Sequence, residues 1–366
     1  MSGPLRLYHE FLKSFKQLTE KKRWGRIELI KTLALMMVGI FESRDVRLSQ
    51  MAEKVPLAVQ EDSVVQRFRR WLKNPKVDER VIYDPMVAAL LVGLSPTRLR
   101  IQIDRTIIDK RFNILMLSLY YRKRAIPLVW QVLNHAGNSH FRERQALLNH
   151  LAALLPPGSH VLILGDREFG GAEMIRSIRQ QGWDYCLRVK GDLAVCLSNG
   201  HWAYLRDLAP APGTFYCLTD VIFTRKGHAG PLHFALACDE HSADPWFIAT
   251  NLSPARRTLH FYAQRFGCER LFSDLKSRGF HLDLSQLIHP ERFSRLLLAV
   301  AVLYLWLLSL ARQVYRLRLF MRLTYRPLRH RYSLFQVGRR WLAKQLSLGQ
   351  PIFPDPAFRP FCLVSK

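Results

Sequence analysis

Between Leu99 and Gly191 the apolar residues change their period in a fixed order, and that order narrows the fold more than any other feature of the chain. RLRIQID, ending at Asp104, alternates apolar and polar residues as a half-buried strand does. FNILMLSLYY and AIPLVWQVL read as two further strands joined by the basic turn RKRA. RERQALLNHLAALL carries helical periodicity and is stopped by Pro156, Pro157 and Gly158. HVLILGD reads as a buried strand ending at Asp166, GAEMIRSIRQQGW as a second helix and YCLRVKG as another strand. Three strands, helix, strand, helix, strand predicts a mixed α/β sheet flanked by helices.

The flanks differ in character. Residues 1 to 95 read as helical: RIELIKTLALMMVGIFES is apolar all round, and short amphipathic helices follow, separated by Pro56 and Pro75. After the core pattern, TFYCLTDVIFTR, PLHFALAC and PWFIATNL form short β-like runs with polar turns. LHFYAQRFGCERLFSDLKSRG then restores helical periodicity. The expected organisation is a helical domain over 1–95, a first part of the α/β core over 96–190 and a β-rich insertion over 191–250. The second part of the core follows over 251–315, and a basic region over 316–366. The apolar stretch from Leu296 to Ala311 falls short of the ~20 residues that span a bilayer. A helix packed on a sheet in the core, and no membrane, is expected there.

Charge bears on the partner. The 366 residues include 55 Lys+Arg against 29 Asp+Glu, a formal net charge of +26. With 49% hydrophobic residues, this is not a disordered basic tail. A basic folded chain suits a polyanion, because phosphate backbones release counterions when Lys and Arg bind them. A basic ribosomal or membrane-surface protein would share this charge. Arg67, Arg69, Arg70, Lys73 and Lys76 cluster around Trp71, which favours a small helical DNA-binding domain over a merely solvated face. Arg316, Arg318, Arg322, Arg326, Arg329, Arg331, Arg339, Arg340 and Lys344 form an acid-free basic stretch, placed either on DNA or on the rest of the protein. Six cysteines without a CxxC pair or zinc-finger spacing read as reduced, mostly buried thiols. A cytoplasmic location is expected, since the N-terminus lacks the apolar core of a signal peptide.

Asp104 and Asp166 stand where strands end, the edge at which α/β sheets place ligands and catalytic groups. One such aspartate is commonly a turn or helix cap; two are more informative. Carboxylates brought together repel unless a cation neutralises them, and Mg²⁺ prefers oxygen ligands. A third group comes from the helix expected over 259–278. At about 100° per residue, and with Tyr262 at 0°, Arg265 falls at roughly −60°, Glu269 at −20° and Lys276 at −40°. These four share one stripe beside an apolar face. Glu269 framed by two cations suits a metal-binding carboxylate beside phosphate-gripping groups. Asp109 and Glu168 compete for the carboxylate roles; Asp109 also has Arg111 as a local partner. His135, His140 and His150 are not spaced as metal ligands and read as surface or loop histidines.

The spacing Y-x2-R-x3-E-x6-K, together with GDREFG and PWFIATNL, resembles the insertion-sequence transposases of the IS4 family. Those belong to the larger DDE group with an RNase H-like catalytic core. The resemblance covers residues 99 to 312 strongly and the N-terminal helices more loosely. It implies two Mg²⁺ ions, with Mn²⁺ as a substitute, held by Asp104, Asp166 and Glu269. They would serve nicking at the element end, release of the element and strand transfer into target DNA. The partners it implies are terminal inverted repeats, target DNA and a second copy of the chain assembled on DNA. Tyr262, Arg265 and Lys276 are its signature residues expected at the DNA. Arg188 and Lys190 match a basic position that contacts end DNA in relatives. Trp246 matches a tryptophan on which a flipped base stacks during hairpin formation, though a core aromatic opening a strand fits it equally. Arg105 and Arg167 directly follow the two aspartates and are further candidates for phosphate contact. A non-catalytic DNA-binding regulator and a nuclease that only cuts are the alternatives.

Overall fold

A computed structural model describes residues 2–18, 27–94, 97–224, 229–241, 244–323 and 332–352. Five helices come first: α1 (Gly3–Leu18), α2 (Ile27–Ser43), α3 (Leu48–Ala52), α4 (Glu61–Lys73) and α5 (Glu79–Leu94). Three strands follow, β1 (Leu99–Ile108), β2 (Phe112–Tyr121) and β3 (Arg124–Leu133). Helices and strands then alternate through α6 (Phe141–Leu154), β4 (Val161–Gly165), α7 (Ala172–Gln180) and β5 (Asp184–Arg188). Next are β6 (Ala194–Cys196), β7 (Trp202–Tyr204), β8 (Phe215–Phe223), β9 (Ala229–Ala237) and β10 (Trp246–Thr250). The chain continues through α8 (Arg256–Ala263), α9 (Gly267–Leu275), α10 (Pro290–Arg316) and α11 (Leu334–Ser347).

Contacts divide these elements into two compact units, Met1–Leu94 with Ile107–Asn113 and Leu271–Lys366, and Ser95–Thr106 with Ile114–Arg270. In the first unit α10 is the core element, buried at every position from Leu296 to Ala311. Its main neighbours there are α2, α4, α5 and α11, so it packs among helices and not on a sheet face as expected. Phe293 at its start stacks on Phe112, with ring centroids 3.9 Å apart. Gly338 on α11 allows a close approach to α10, since a Cβ there would lie 2.1 Å from the Leu307 carbonyl oxygen. Trp71 is a core residue of this unit whose indole N–H donates to the Leu29 carbonyl at 2.9 Å. Arg326, Arg329, Arg331 and Cys362 lie outside the described residues.

One ten-stranded sheet runs β3-β2-β1-β4-β5-β10-β9-β8-β6-β7. β1 pairs parallel with β4, and β4 parallel with β5. The strands of the β-rich region extend this same sheet, because β10 joins antiparallel to β5 and β9 to β10. The order β3-β2-β1-β4-β5, with the last three parallel and short turns linking the first three, is that of an RNase H-like sheet. α6 packs against β3 and α7, while α8 lies over β4, β5, β9 and β10. Under α8 a core of Leu162, Leu164, Cys186, Ala235 and Ile248 closes around Tyr262.

The helix expected over 259–278 is not continuous. A 3₁₀ turn at Gln264–Phe266 divides it into α8 and α9, which ends at Leu275. Gln102 on β1 donates its side-chain amide to the Gln264 carbonyl at that turn. A side chain inserted into the helical ladder is a recognised cause of such a break.

Candidate active site

Strand register aligns three polar residues. Ile103 pairs with Gly165 and Gly165 with Leu187, so Asp166 just beyond β4 and Arg188 at the end of β5 stand level with Asp104. Asp104 lies inside β1 and not at its end as expected, because β1 runs on to Ile108. The loops that leave such ends are where α/β sheets carry their chemistry.

Packing against β1 brings the third carboxylate to this row. Gln102 and Asp104 are two residues apart and therefore share a face. The Gln102 side-chain oxygen accepts from Ser118 Oγ at 3.2 Å and from Cys268 Sγ at 3.0 Å. Arg100, next along the same face, donates to Gln264 Oε1 at 3.1 Å. Gly267 makes this closeness possible: a Cβ there would meet Gln102 Nε2 at 2.6 Å. α9 thus starts against β1 and presents Glu269 one half-turn later.

Arg265 joins the carboxylates. Its Nη1 donates to Asp104 Oδ2 at 3.2 Å and its Nη2 to Glu269 Oε1 at 2.9 Å. Asp104 is buried and Glu269 exposed, with 11% and 57% of their side chains open to solvent. Burial pushes the Asp104 carboxyl up to about 6. Arg265 and the Arg105 backbone N–H oppose that rise, whereas the like charges of Asp166 and Glu269 add to it. Burial works against charge on Arg265, but Tyr262, Asp104 and Glu269 together hold its pKa above the ordinary value.

The competing acids are engaged elsewhere. Glu168 accepts from Arg105 Nε at 2.9 Å and from the backbone and hydroxyl of Ser139 at 2.8 and 2.7 Å. Arg144 lies 3.6 Å from it. Asp109 pairs with Arg111.

The family model described as a transposase DDE domain matches residues 103–306, more than half of the chain. The chain belongs to the transposase DDE domain family. No curated protein matches it. Among solved structures it is similar to a piggyBac transposase synaptic complex with hairpin DNA, at 12% sequence identity. That similarity covers 94% of this chain and 80% of the other, with a TM-score of 0.47.

DDE transposases use divalent metal ions, and the donors here fit one. Asp104, Asp166 and Glu269 offer only carboxylate oxygens, the set hard divalent cations prefer. Among the described residues these oxygens are not gathered within 4.8 Å of one another. Two of them share the guanidinium of Arg265, a cation already in their midst.

The remaining expected residues are placed as follows. Arg105 is held by Glu168 and Asn138. Arg167 and Arg188 both pair with Asp244, Arg188 at 2.7 Å. Burial would raise the Asp244 carboxyl, but the hydrogen bonds from those two arginines win and hold it low. Lys190 is exposed two residues beyond the end of β5. Tyr262 is buried, which raises its phenol pKa. The Trp246 ring meets Tyr262 edge-on with centroids 4.9 Å apart, and Phe266 lies 6.1 Å away. Lys276 lies beyond α9 in the first compact unit, half-buried, with its pKa lowered by desolvation against the opposing charge of Asp283.

Sequence reasoning missed Gln102, Glu168 as a brace, and Asp244. Only Gln102 left a signal, as a polar residue sharing the strand face of Asp104. His135 and His140 lie in the loop between β3 and α6, as expected. What spacing did not give is that the two come together with Glu143, with ligand atoms within 4.8 Å of one another. Sequence spacing missed this because the loop from β3 into α6 folds back on itself.

Proposed function

We propose that this chain is a cut-and-paste DNA transposase of the IS4 insertion-sequence type. It binds terminal inverted repeats, cleaves DNA at the element ends and joins those ends to target DNA. The observation that carries the reading is the bridge from one buried arginine to both Asp104 and Glu269, beside Asp166. The charges of Asp166 and Glu269 add to the rise of the Asp104 carboxyl, an arrangement that calls for a cation, and Asp104, Asp166 and Glu269 would hold Mg²⁺, with Mn²⁺ as a substitute. When bound, the ions supply a nucleophile at neutral pH and stabilise the leaving oxygen at phosphorus.

The chain's own residues then have distinct tasks. Asp104, whose carboxyl burial raises to about 6, would hold the ion as its carboxylate. Arg265, which holds Asp104 and Glu269, would supply a buried cation for the phosphate. Gln102 and Gly267 fix the start of α9, so that Glu269 projects at a set height above β1. Arg188, Lys190 and Arg167 supply positive charge at the adjoining strand end, and Tyr262, Lys276 and Arg105 complete the set expected near DNA. Trp246 is the residue for a flipped base in a hairpin step. The helices of 1–95 serve as the DNA-binding domain, and two copies of the chain assemble on paired ends.

The test is cleavage and joining of labelled DNA carrying the element's inverted repeats with Mg²⁺, for wild type and Glu269→Gln. Wild type is expected to nick at the repeat end and transfer the strand, while the variant binds and does neither. Tight binding by wild type with no cutting in Mg²⁺ or Mn²⁺ would instead make the chain a DNA-binding regulator.

A further inference from the structure

The loop between β3 and α6 carries a second constellation of ligating atoms, chemically unlike the carboxylates of the active site. Glu143 lies in the first turn of α6, and its Oε1 stands 2.9 Å from His135 Nε2. Its Oε2 stands 3.6 Å from His140 Nδ1 and also accepts the His140 backbone N–H at 2.6 Å. The two imidazole rings are 4.2 Å apart between centroids.

Hydrogen placement makes this arrangement informative. His135 Nδ1 is 2.9 Å from the Ala136 carbonyl oxygen, which can only accept, so Nδ1 carries the hydrogen. In the neutral ring Nε2 then bears a lone pair, and that lone pair faces a carboxylate oxygen. Two acceptors in that position need a cation between them, either a second proton or a metal ion. A ring fixed through one nitrogen by a backbone carbonyl is the usual support for a histidine that binds metal through the other. Ligands of a tetrahedral zinc ion, with bonds of about 2.0–2.1 Å, stand roughly 3.4 Å apart. The observed separations of 2.9 and 3.6 Å bracket that value.

We propose that His135, His140 and Glu143 form a binding site for a transition-metal ion of the zinc type, distinct from the Asp104–Asp166–Glu269 site. Two imidazoles and a carboxylate give three ligands and leave a position for water. Imidazole donors select zinc-like ions over Mg²⁺, so the two sites differ in the metal they take. Arg105 is the cation whose charge reaches His135, and Glu168 neutralises it at 2.9 Å. Binding here would fasten the loop that bears Asn138 and Ser139. Those residues hold Arg105 and Glu168, which lie one and two residues after Asp104 and Asp166. The ion is therefore a clip that positions Arg105 on β1 and Glu168 after β4, and it takes no part in the reaction.

The experiment is calorimetric titration of the metal-stripped full-length protein with Zn²⁺, in excess Mg²⁺ and without DNA. Wild type is expected to bind one Zn²⁺. His140→Ala, which removes an exposed ring, and His135→Ala should each weaken that binding at least about tenfold. His150→Ala should leave it unchanged. The proposal is overturned by absence of Zn²⁺ binding in wild type, or by wild-type affinity in His140→Ala. It is equally overturned if Asp104→Asn loses the ion while His140→Ala keeps it. No DNA chemistry enters the measurement, so its outcome is separate from that of the transposase assay.

Discussion

Arg265 donates to Asp104 across 161 residues of chain, Nη1 to Oδ2 at 3.2 Å, and both side chains are buried. Removing one partner of a buried ion pair leaves the other uncompensated, which typically costs about 3 kcal/mol or more. Arg265→Ala is therefore expected to lower unfolding stability by roughly 3 kcal/mol in metal-free buffer. Divalent metal should recover part of that loss, because it neutralises the same carboxylates. Urea unfolding with chelator and with Mn²⁺ measures both effects; an equal loss in the two buffers would mean the guanidinium acts only through packing.

Asp104 makes stability depend on pH in a defined direction. Its carboxyl is raised from 3.8 to about 6, so the native state holds the proton more tightly than the unfolded chain. That contribution is complete below about pH 4 and is lost as pH rises through 6. The change is on the order of 3 kcal/mol, from a shift of about two units. In the absence of metal, Asp104→Asn should flatten the decline between those pH values. Affinity for divalent metal at this site should rise over the same interval, since the ion displaces the proton. A wild-type stability curve that stays level across it contradicts the assignment.

Much of this was legible in the chain itself. The strand end at Asp166 follows from an apolar run that stops abruptly, but β1 runs on past Asp104 to Ile108, since Asp104 and Arg105 interrupt the apolar run without ending the strand. Glu269 and Arg265 were legible from helical spacing, which survives the 3₁₀ turn because only four residues separate them. Lys276 did not keep its place, since the turn at Gln264–Phe266 and the end of α9 at Leu275 break the period that placed it. The pairing of Asp244 with Arg167 and Arg188, and the gathering of His135, His140 and Glu143, are products of loop folding, and a loop leaves no periodic trace.

Glu168 stands two residues from Asp166 yet is expected to behave as a brace and not as a metal ligand. Only 10% of its side chain is open to solvent, and Arg105, Arg144 and Ser139 converge on it. Glu168→Ala removes the carboxylate shared by two partly buried cations and a buried hydroxyl, so a loss of about 3 kcal/mol is expected. Glu168→Gln keeps the acceptor for Ser139 and should lose less. Mn²⁺ affinity, measured by calorimetry on the folded variants, should change little. A drop comparable to that of Asp166→Asn would make Glu168 a ligand after all.

Under the proposed hairpin step Trp246 has two separable contributions. Its ring packs edge-on against Tyr262 and onto the core beneath α8, a contact a phenyl ring can largely replace. Trp246→Ala should therefore destabilise the fold by roughly 2 kcal/mol, and Trp246→Phe by much less. Stacking of a flipped base contributes about 1–3 kcal/mol and depends on ring area, so Phe would restore it only in part. In a time course on end DNA, Trp246→Ala should slow hairpin formation several-fold more than first-strand nicking, with Trp246→Phe in between. If Phe restores both steps fully, or if Ala slows both equally, the tryptophan serves only to hold β10 against α8.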